Sequence, residues 1–450
     1  MMNKILIKNA TIVNEGIAKV SDVLIDNERI EKIDNDIKDK GNAIIINAEG
    51  LHLIPGMIDD QVHFREPGLT HKGSIFSESR AAVSGGITSF MDMPNTSPNT
   101  TSINLLEAKY ELAKNTSLAN YSFFMGINKH NLEEALRIDN SQVCGLSDDG
   151  LYFDDNEGIL ANYPDFLEKL FNRTNSLVAL HCEDDDIIKA AYSVYRHLYG
   201  SDIPVECHPL IRTKQACVAA TKRVLKLAEK FNTRLHVLHV STVEETDLFK
   251  TTVSLRDKRI TAEACVHHLW FSDKDYLRLG NKIKWNPAVK TEEDRAGLLQ
   301  ALKDNRLDII ATDHAPHLIS EKLGDYDVGK SGGPLVQHAL TVLFELYHQH
   351  KISLEDIVQK TSHNVAEIYR IKERGYLREG YFADLVLVDL NKTWIADQQT
   401  ILYKCGWSPF TDYQFKSKII STFINGQHVY DKGTFNDNAK GKRLQFSQER

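Results

Sequence analysis

The chain has 450 residues, 42% of them hydrophobic and 26% charged, which excludes a disordered or fibrous chain. Lys and Arg number 54 against 62 Asp and Glu, so the formal net charge is −8. That balance provides no overall basic footprint for nucleic acid or an anionic membrane.

The first fifty residues read as short strands. Lys4–Ile7, Val23–Ile25, Ile30–Ile33 and Ala43–Ile46 are apolar runs separated by polar turns, the texture of a small β unit. From residue 57 the pattern changes to apolar strands alternating with amphipathic helices. The strands are Met57–Val62, Thr88–Met91, Tyr121–Met125, Val143–Leu146, Leu177–Leu180, Leu235–Val240, Ile260–Ala264 and Asp308–Ala311. Helical segments between them include Leu105–Leu112, Phe166–Phe171, Cys217–Leu227 and Glu293–Leu302. This alternation fits a (β/α)8 TIM-type barrel over residues 56–375 better than an open doubly wound sheet. After about residue 375 the β texture returns, with a strand at Phe382–Val388. A hairpin follows from Lys418 to Tyr430, turning on Asn425-Gly426, a dipeptide suited to a type I′ turn. Residues 1–55 and 376–450 together are therefore expected to form a composite β-sandwich domain. Asp184 to Tyr199 is a long helical insertion suited to a lid or an oligomer contact.

The six cysteines are scattered without a Cys-x-x-Cys pair and read as thiols of a reducing compartment. Met1 to Asn9 lacks a signal-peptide pattern. No run reaches the ~18 apolar residues of a membrane span. The expectation is a soluble cytoplasmic protein with a small-molecule substrate and no nucleic-acid or membrane partner.

In such a barrel the C-terminal strand ends converge on one face, where active sites form. Here those ends carry His63 and Arg65, Asn95, Asp148-Asp149-Gly150, His181, His239, and Asp313 with His314 and His317. Three imidazoles and two carboxylates suit zinc, with manganese, cobalt or iron fitting less well. Such a metal lowers the pKa of water and polarises a carbonyl. Asp313 is placed to serve as general base and to hand a proton to a leaving nitrogen. Any one of these residues has an ordinary alternative, a surface or core histidine, a turn aspartate or a helix cap; their joint occurrence at successive strand ends carries the argument. His267 and His268 follow another strand end, where packing is the favoured role. Glu183 and Asp184 suit supporting or capping roles.

VHFREPG (62–68), MPNT (93–96), SDDG (147–150), HCED (181–184), HVLHVST (236–242), KWNP (284–287), ATDHAPH (311–317) and SGGP (331–334) resemble the dihydroorotases of the amidohydrolase superfamily. GYFADLVLVD (380–389) resembles that family's C-terminal β-sandwich strand. The resemblance implies a zinc-dependent cyclic amidase of pyrimidine biosynthesis, which interconverts N-carbamoyl-L-aspartate and L-dihydroorotate. It implies His63, Asp149, His181, His239 and Asp313 as ligands to one or two Zn2+ ions, and Asp313 as the catalytic acid/base. Arg65, Asn95 and His317 would hold the substrate carboxylate and Asn286 the ring, with Ser331 and Gly332 lining the pocket. It is compatible with a homodimer and with an aspartate transcarbamoylase partner. Two positions depart from the family pattern. Gln61 replaces the first histidine of His-x-His-x-Arg, and Asp149 takes the place of a carbamylated lysine as the bridge between metals. The His181/His239 position is therefore expected to bind metal more tightly. Two other readings share these residues: a hydantoinase or dihydropyrimidinase-like cyclic amidase, against which Arg65 and Asn95 argue, and a catalytically silent scaffold, which Gln61 keeps open.

Overall fold

The computed structural model describes residues 4–39, 41, 43–151 and 164–448. The N-terminal strands are Lys4–Asn14 (β1), Ile17–Asp26 (β2), Arg29–Asp34 (β3), Ala43–Asn47 (β4) and His52–Pro55 (β5). Gly56 leads from β5 directly into Met57–Val62 (β6), the first of a parallel series. The series continues with Ile87–Asp92 (β7), Asn120–Phe123 (β8), Met125–Gly126 (β9), Leu146–Ser147 (β10), Leu177–Leu180 (β11), Arg234–Val237 (β12), Ile260–Cys265 (β13) and Ile309–Ala311 (β14). The C-terminal strands are Leu385–Asp389 (β15), Trp394–Ile395 (β16), Gln414–Phe415 (β17), Lys418–Ile424 (β18), Gln427–Asp431 (β19) and Thr434–Phe435 (β20).

β6, β7 and β8 pair in parallel, and so do β9 through β14 in chain order. Only Phe124 separates β8 from β9. At the other margin a parallel bridge joins Val62 to His314, and the His63 N–H donates to the His314 carbonyl at 2.7 Å. The last parallel segment therefore lies beside the first. Every residue of β6, β7, β8 and β11 is buried, as expected for strands covered on both faces. The intervening helices begin on side-chain caps: Ser74 for Ile75–Ser84, Ser102 for Ile103–Thr116, Thr213 for Lys214–Phe231 and Thr291 for Glu292–Lys303. Each cap oxygen accepts a backbone N–H that the helix cannot satisfy itself.

The two ends of the chain share one sheet, ordered β20-β19-β18-β15-β5-β1-β2-β3, with β4 also on β1. β15, in the middle of it, buries both faces by alternation. Leu385 and Leu387 point into a core with Ile7, Val23 and Phe423, whereas Val386 and Val388 join the main core with Ile87 and Leu340. A register shift in β1 between Ile7 and Ala10 divides its pairing: the first half meets β4, the second β5. The hairpin expected at Asn425-Gly426 joins β18 to β19, with φ of +49° and +71° at its two turn residues, as a type I′ turn requires. A Cβ at Gly426 would also lie 1.8 Å from the Asn27 carbonyl oxygen.

The expected strand Val143–Leu146 pairs as Leu146–Ser147, because the Cys144 N–H is taken by Ser122 Oγ at 3.2 Å. The expected strand Leu235–Val240 pairs only as Arg234–Val237. The insertion after β11 is the helix Asp185–Tyr199, capped by Asp184, and none of its residues is buried. Ile188, Tyr192 and Tyr195 on one side of it pack on Ile203, Cys207, Ile211 and Tyr326. No described helix is long and apolar enough to cross a membrane.

Candidate metal and substrate site

Six of the parallel strands deliver a polar group just beyond their C-terminal ends. His63 follows β6, Asn95 follows β7, Asp149 follows β10, His181 follows β11, and His239 and Asp313 lie just past β12 and β14. Potential ligand atoms of His63, Asp149 and Asp313 lie within 4.8 Å of one another, and so do those of Asp149, His181 and His239. The five residues thus form two groups that share Asp149. All five are buried.

The hydrogen bonds define which atoms face the centre. His63 Nδ1–H donates to Asn95 Oδ1 at 2.7 Å. Its Nε2 then faces Asp313 Oδ1 at 3.1 Å and Asp149 Oδ2 at 3.3 Å. Three electron-pair donors converge there, and only a proton or a cation reconciles them. Burial opposes charge on His63, but the hydrogen bonds that its N–H donates to the Asp149 and Asp313 carboxylates outweigh it and push its pKa to about 10. In the second group His181 Nε2–H donates to Glu183 Oε2 at 2.9 Å, which turns Nδ1 towards His239 Nε2 at 3.0 Å and Asp149 Oδ1 at 3.8 Å. His239 Nε2 is also 3.8 Å from Asp149 Oδ1. Burial opposes a charge on His239 too; the Asp149 carboxylate raises its pKa to about 9. Burial lifts the pKa of Asp313.

Backbone strain accompanies this convergence. Arg65, His239 and Asp313 have φ of +69°, +37° and +48°, a region that costs a non-glycine residue about 1–3 kcal/mol and that clusters at functional sites. Buried carboxylates hold two of the loops: the His181 N–H donates to Asp148 Oδ1 and the His239 N–H to Glu263 Oε1, both at 3.0 Å. Burial raises both of these carboxyls to about 7.

His63, Arg65, Asn95, Asp149, Asn286, Asp313, His317, Ser331 and Gly332 all line one cavity of about 690 Å3. His181 and His239 do not line it and lie behind Asp149. Arg65 is buried; its Nε donates to the Pro316 carbonyl at 3.1 Å and its Nη2 lies 3.3 Å from His317 Nε2. Asn286 Oδ1 is buried without a partner among the described residues. Gly150, at φ +73°, leaves room for Asn95, since a Cβ there would lie 2.1 Å from Asn95 Nδ2.

Gln61 is not a vacant position. Its Nε2 donates to Asp149 Oδ2 at 3.0 Å, and its Oε1 accepts from Cys265 Sγ at 3.3 Å. Sequence reasoning missed Cys265, although Cys265 and Glu263 are two residues apart on β13 and so share a face. It also missed Lys72, Lys284 and Lys330 in the cavity wall. Glu183 supports His181, and Asp184 caps a helix. His267 is buried and stacks on Trp285 at 4.5 Å. A third buried group, Asp60, His236 and Glu263, was not expected from the sequence.

The amidohydrolase family model matches residues 52–429. The chain belongs to the amidohydrolase family. Among the relatives of this amidohydrolase, a dihydroorotase from Elusimicrobium minutum is 31% identical over 438 residues, spanning 96% of this chain and 98% of its own length. A dihydroorotase from Methanosarcina acetivorans is 31% identical over 422 residues, spanning 91% and 88%. These relatives place the chain among the dihydroorotases. A dihydropyrimidinase structure from Brevibacillus agri superposes with a TM-score of 0.87 at 26% identity, covering 99% of this chain and 100% of its own. An L-hydantoinase from Arthrobacter aurescens, at 23% identity, shares the fold with a TM-score of 0.89 over 97% and 98% of the two chains.

Proposed function

We propose that this amidohydrolase interconverts N-carbamoyl-L-aspartate and L-dihydroorotate at a zinc centre. The observation that carries the reading is the pair of ligand groups sharing Asp149 in one cavity with buried Arg65, which has no carboxylate in ion-pair contact among the described residues. Relatives named dihydroorotase support it. We further propose that the parallel series forms a (β/α)8 barrel over residues 56–375, with residues 1–55 and 376–450 as a β-sandwich domain.

The donor set fits zinc: imidazole nitrogens and carboxylate oxygens, with His63 Nε2 and His181 Nδ1 fixed by hydrogen bonds on their other nitrogens. His63, Asp149 and Asp313 would hold one ion, and Asp149, His181 and His239 a second. A zinc ion there supplies a Lewis acid for the ring carbonyl and lowers the pKa of water.

The chain's own residues do the rest. Arg65 binds the substrate carboxylate through charge-assisted N–H bonds, with Asn95 and His317 beside it. Asn286 Oδ1 accepts a ring N–H. In ring opening, the oxygen of water bonds to the ring carbonyl carbon and the carbon–nitrogen bond breaks. The Asp313 carboxylate takes the proton from water and delivers it to the departing nitrogen. Ring closure is the reverse.

The test is the rate of ring opening of L-dihydroorotate by the zinc-loaded protein, with dihydrouracil as control. Turnover of dihydroorotate alone is expected. Faster turnover of dihydrouracil would move the reading to a hydantoinase-like amidase. No turnover of either with metal bound would make the chain a silent homologue.

A further inference from the structure

Three buried cations surround the cavity without a carboxylate in ion-pair contact among the described residues: Arg65, Lys284 and Lys322, at 6%, 6% and 2% exposure. Elsewhere a buried lysine can be matched directly, as Lys109 is by Asp92 at 2.6 Å. Lys284 and Lys322 instead meet backbone carbonyls. Lys322 Nζ donates to Lys330 O and Gly332 O, both at 2.6 Å, and to Lys284 O at 3.3 Å. Lys284 Nζ donates to Tyr326 O at 2.5 Å and Gly329 O at 2.7 Å. The Gly332 N–H closes the web on Lys284 O at 2.8 Å. These carbonyls belong to one wall of the cavity, which Lys284, Gly329, Lys330, Ser331 and Gly332 line.

Carbonyl dipoles compensate a buried ammonium only in part, and an unmatched buried charge is costly. The neighbours show the deficit. Burial, then Lys284 and Arg65, hold the Lys322 pKa well below the ordinary lysine range. Burial, then Arg212, lowers Lys284 to about 8. Asp327, in the same wall, acts on Lys284 without an ion-pair contact and is itself engaged by Tyr192 and Arg196 at 3.0 Å each; a carboxylate bound beside Arg65 would add negative charge near both lysines and favour their charged forms.

We propose that Lys284 and Lys322 are positioning residues that set the charge preference of the site: they hold the 326–332 wall by its carbonyls and, among the described residues, have no carboxylate in ion-pair contact, so that a carboxylate-bearing cyclic ureide binds in preference to its uncharged counterpart. This deepens the reading above and rests on it, but its test is a binding measurement that needs no turnover. Orotate and uracil share a ring and differ by the carboxylate. Their dissociation constants are measured by titration calorimetry on the metal-loaded full chain, wild type against Lys322→Gln and Lys284→Gln. Glutamine keeps N–H donors for the carbonyls and removes the charge. Weakening of orotate by about tenfold or more, with uracil changed less than about twofold, is the expected result for removing a nearby charge. Equal weakening of both ligands would reduce the lysines to wall supports and overturn the proposal, as would unchanged orotate binding. If Lys322→Gln does not fold, Lys284→Gln is read by the same criterion; failure of both to fold assigns the lysines to the fold and also overturns it. Absence of dihydroorotate turnover in the wild type would sink the proposed reaction, while the orotate-to-uracil ratio would still be read.

Discussion

Asp149 is the residue on which both ligand groups depend, and Gln61 is the neighbour that aims it. A Gln61→His variant exchanges an amide donor for an imidazole next to Asp149 Oδ2. It is expected to raise metal affinity in the His63 group and to leave the His181 group unchanged, read as zinc content during graded chelation. Unchanged occupancy would remove the reason for ranking the two positions. Asp313 carries the proton in the proposed reaction. Asp313→Asn is expected to lower kcat by roughly 10^2–10^4-fold, the usual range for losing a general acid/base, with zinc content measured in parallel. Gly150 has a steric role: Gly150→Ala would drive a methyl into Asn95 Nδ2 from a left-handed backbone. Loss of His63 orientation through Asn95 is the expected effect, read as raised KM with lowered metal affinity. Of these residues, the five ligand candidates were legible because each falls just beyond an apolar strand. The Gln61–Cys265 contact was not, because its partners are 204 residues apart and neither belongs to a local pattern. The lysine web was invisible for another reason: its acceptors are carbonyls, which every residue has.

The element scale shows where local signals suffice. β11, Leu-Val-Ala-Leu and buried throughout, could be read directly as a strand covered on both faces, whereas β6 and β7 carry buried Asp59, Asp60, Gln61 and Asp92 among their apolar residues; pairing partners decide where a strand ends and so moved the limits of β10 and β12. The helix Asp185–Tyr199 buries none of its residues, so its N-terminal cap matters more than for a packed helix. Asp184 Oδ1 accepts from the Asp186 and Ile187 N–H groups at 3.1 and 3.2 Å. Asp184→Ala is expected to destabilise that helix by about 1 kcal/mol, seen as faster amide exchange confined to 185–199. Protection spread unchanged across the helix would refute that role. Its Tyr192 and Arg196 both reach Asp327, at 3.0 Å each, and Asp327 lines the cavity proposed to hold substrate. Loosening of the helix should therefore be felt as a change in substrate affinity.

For the molecule as a whole, one direct link between scaffold and site is the ion pair between Lys109 and Asp92, both fully buried. Asp92 Oδ1 also accepts the Phe64 N–H at 2.7 Å, between His63 and Arg65. One carboxylate thus ties a flanking helix, the end of β7 and the metal-site loop together. Lys109→Met would leave Asp92 buried and unmatched, a change that costs about 3–5 kcal/mol; urea unfolding measures it, and a loss under about 1 kcal/mol would show that the pair relaxes. The β character of both ends of the chain was legible from alternation and from Asn425-Gly426. The order of the shared sheet was not, since β5 and β15 meet across more than three hundred residues with no local trace.

That shared sheet has a consequence for the protein's birth. β5 hydrogen-bonds to β15 along Leu53, Ile54 and Pro55, and β5 runs through Gly56 straight into the strand that presents His63. During synthesis β5 waits, one edge open, until residues 385–389 leave the ribosome, and β18 and β19 come later still. An open apolar edge is a template for wrong pairing. The long parallel segment thus has time to order before its neighbouring sheet can close, and a stalled chain ending before residue 385 would be released with the β5 edge bare. Such truncated chains are expected to accumulate in aggregates rather than as a smaller folded enzyme.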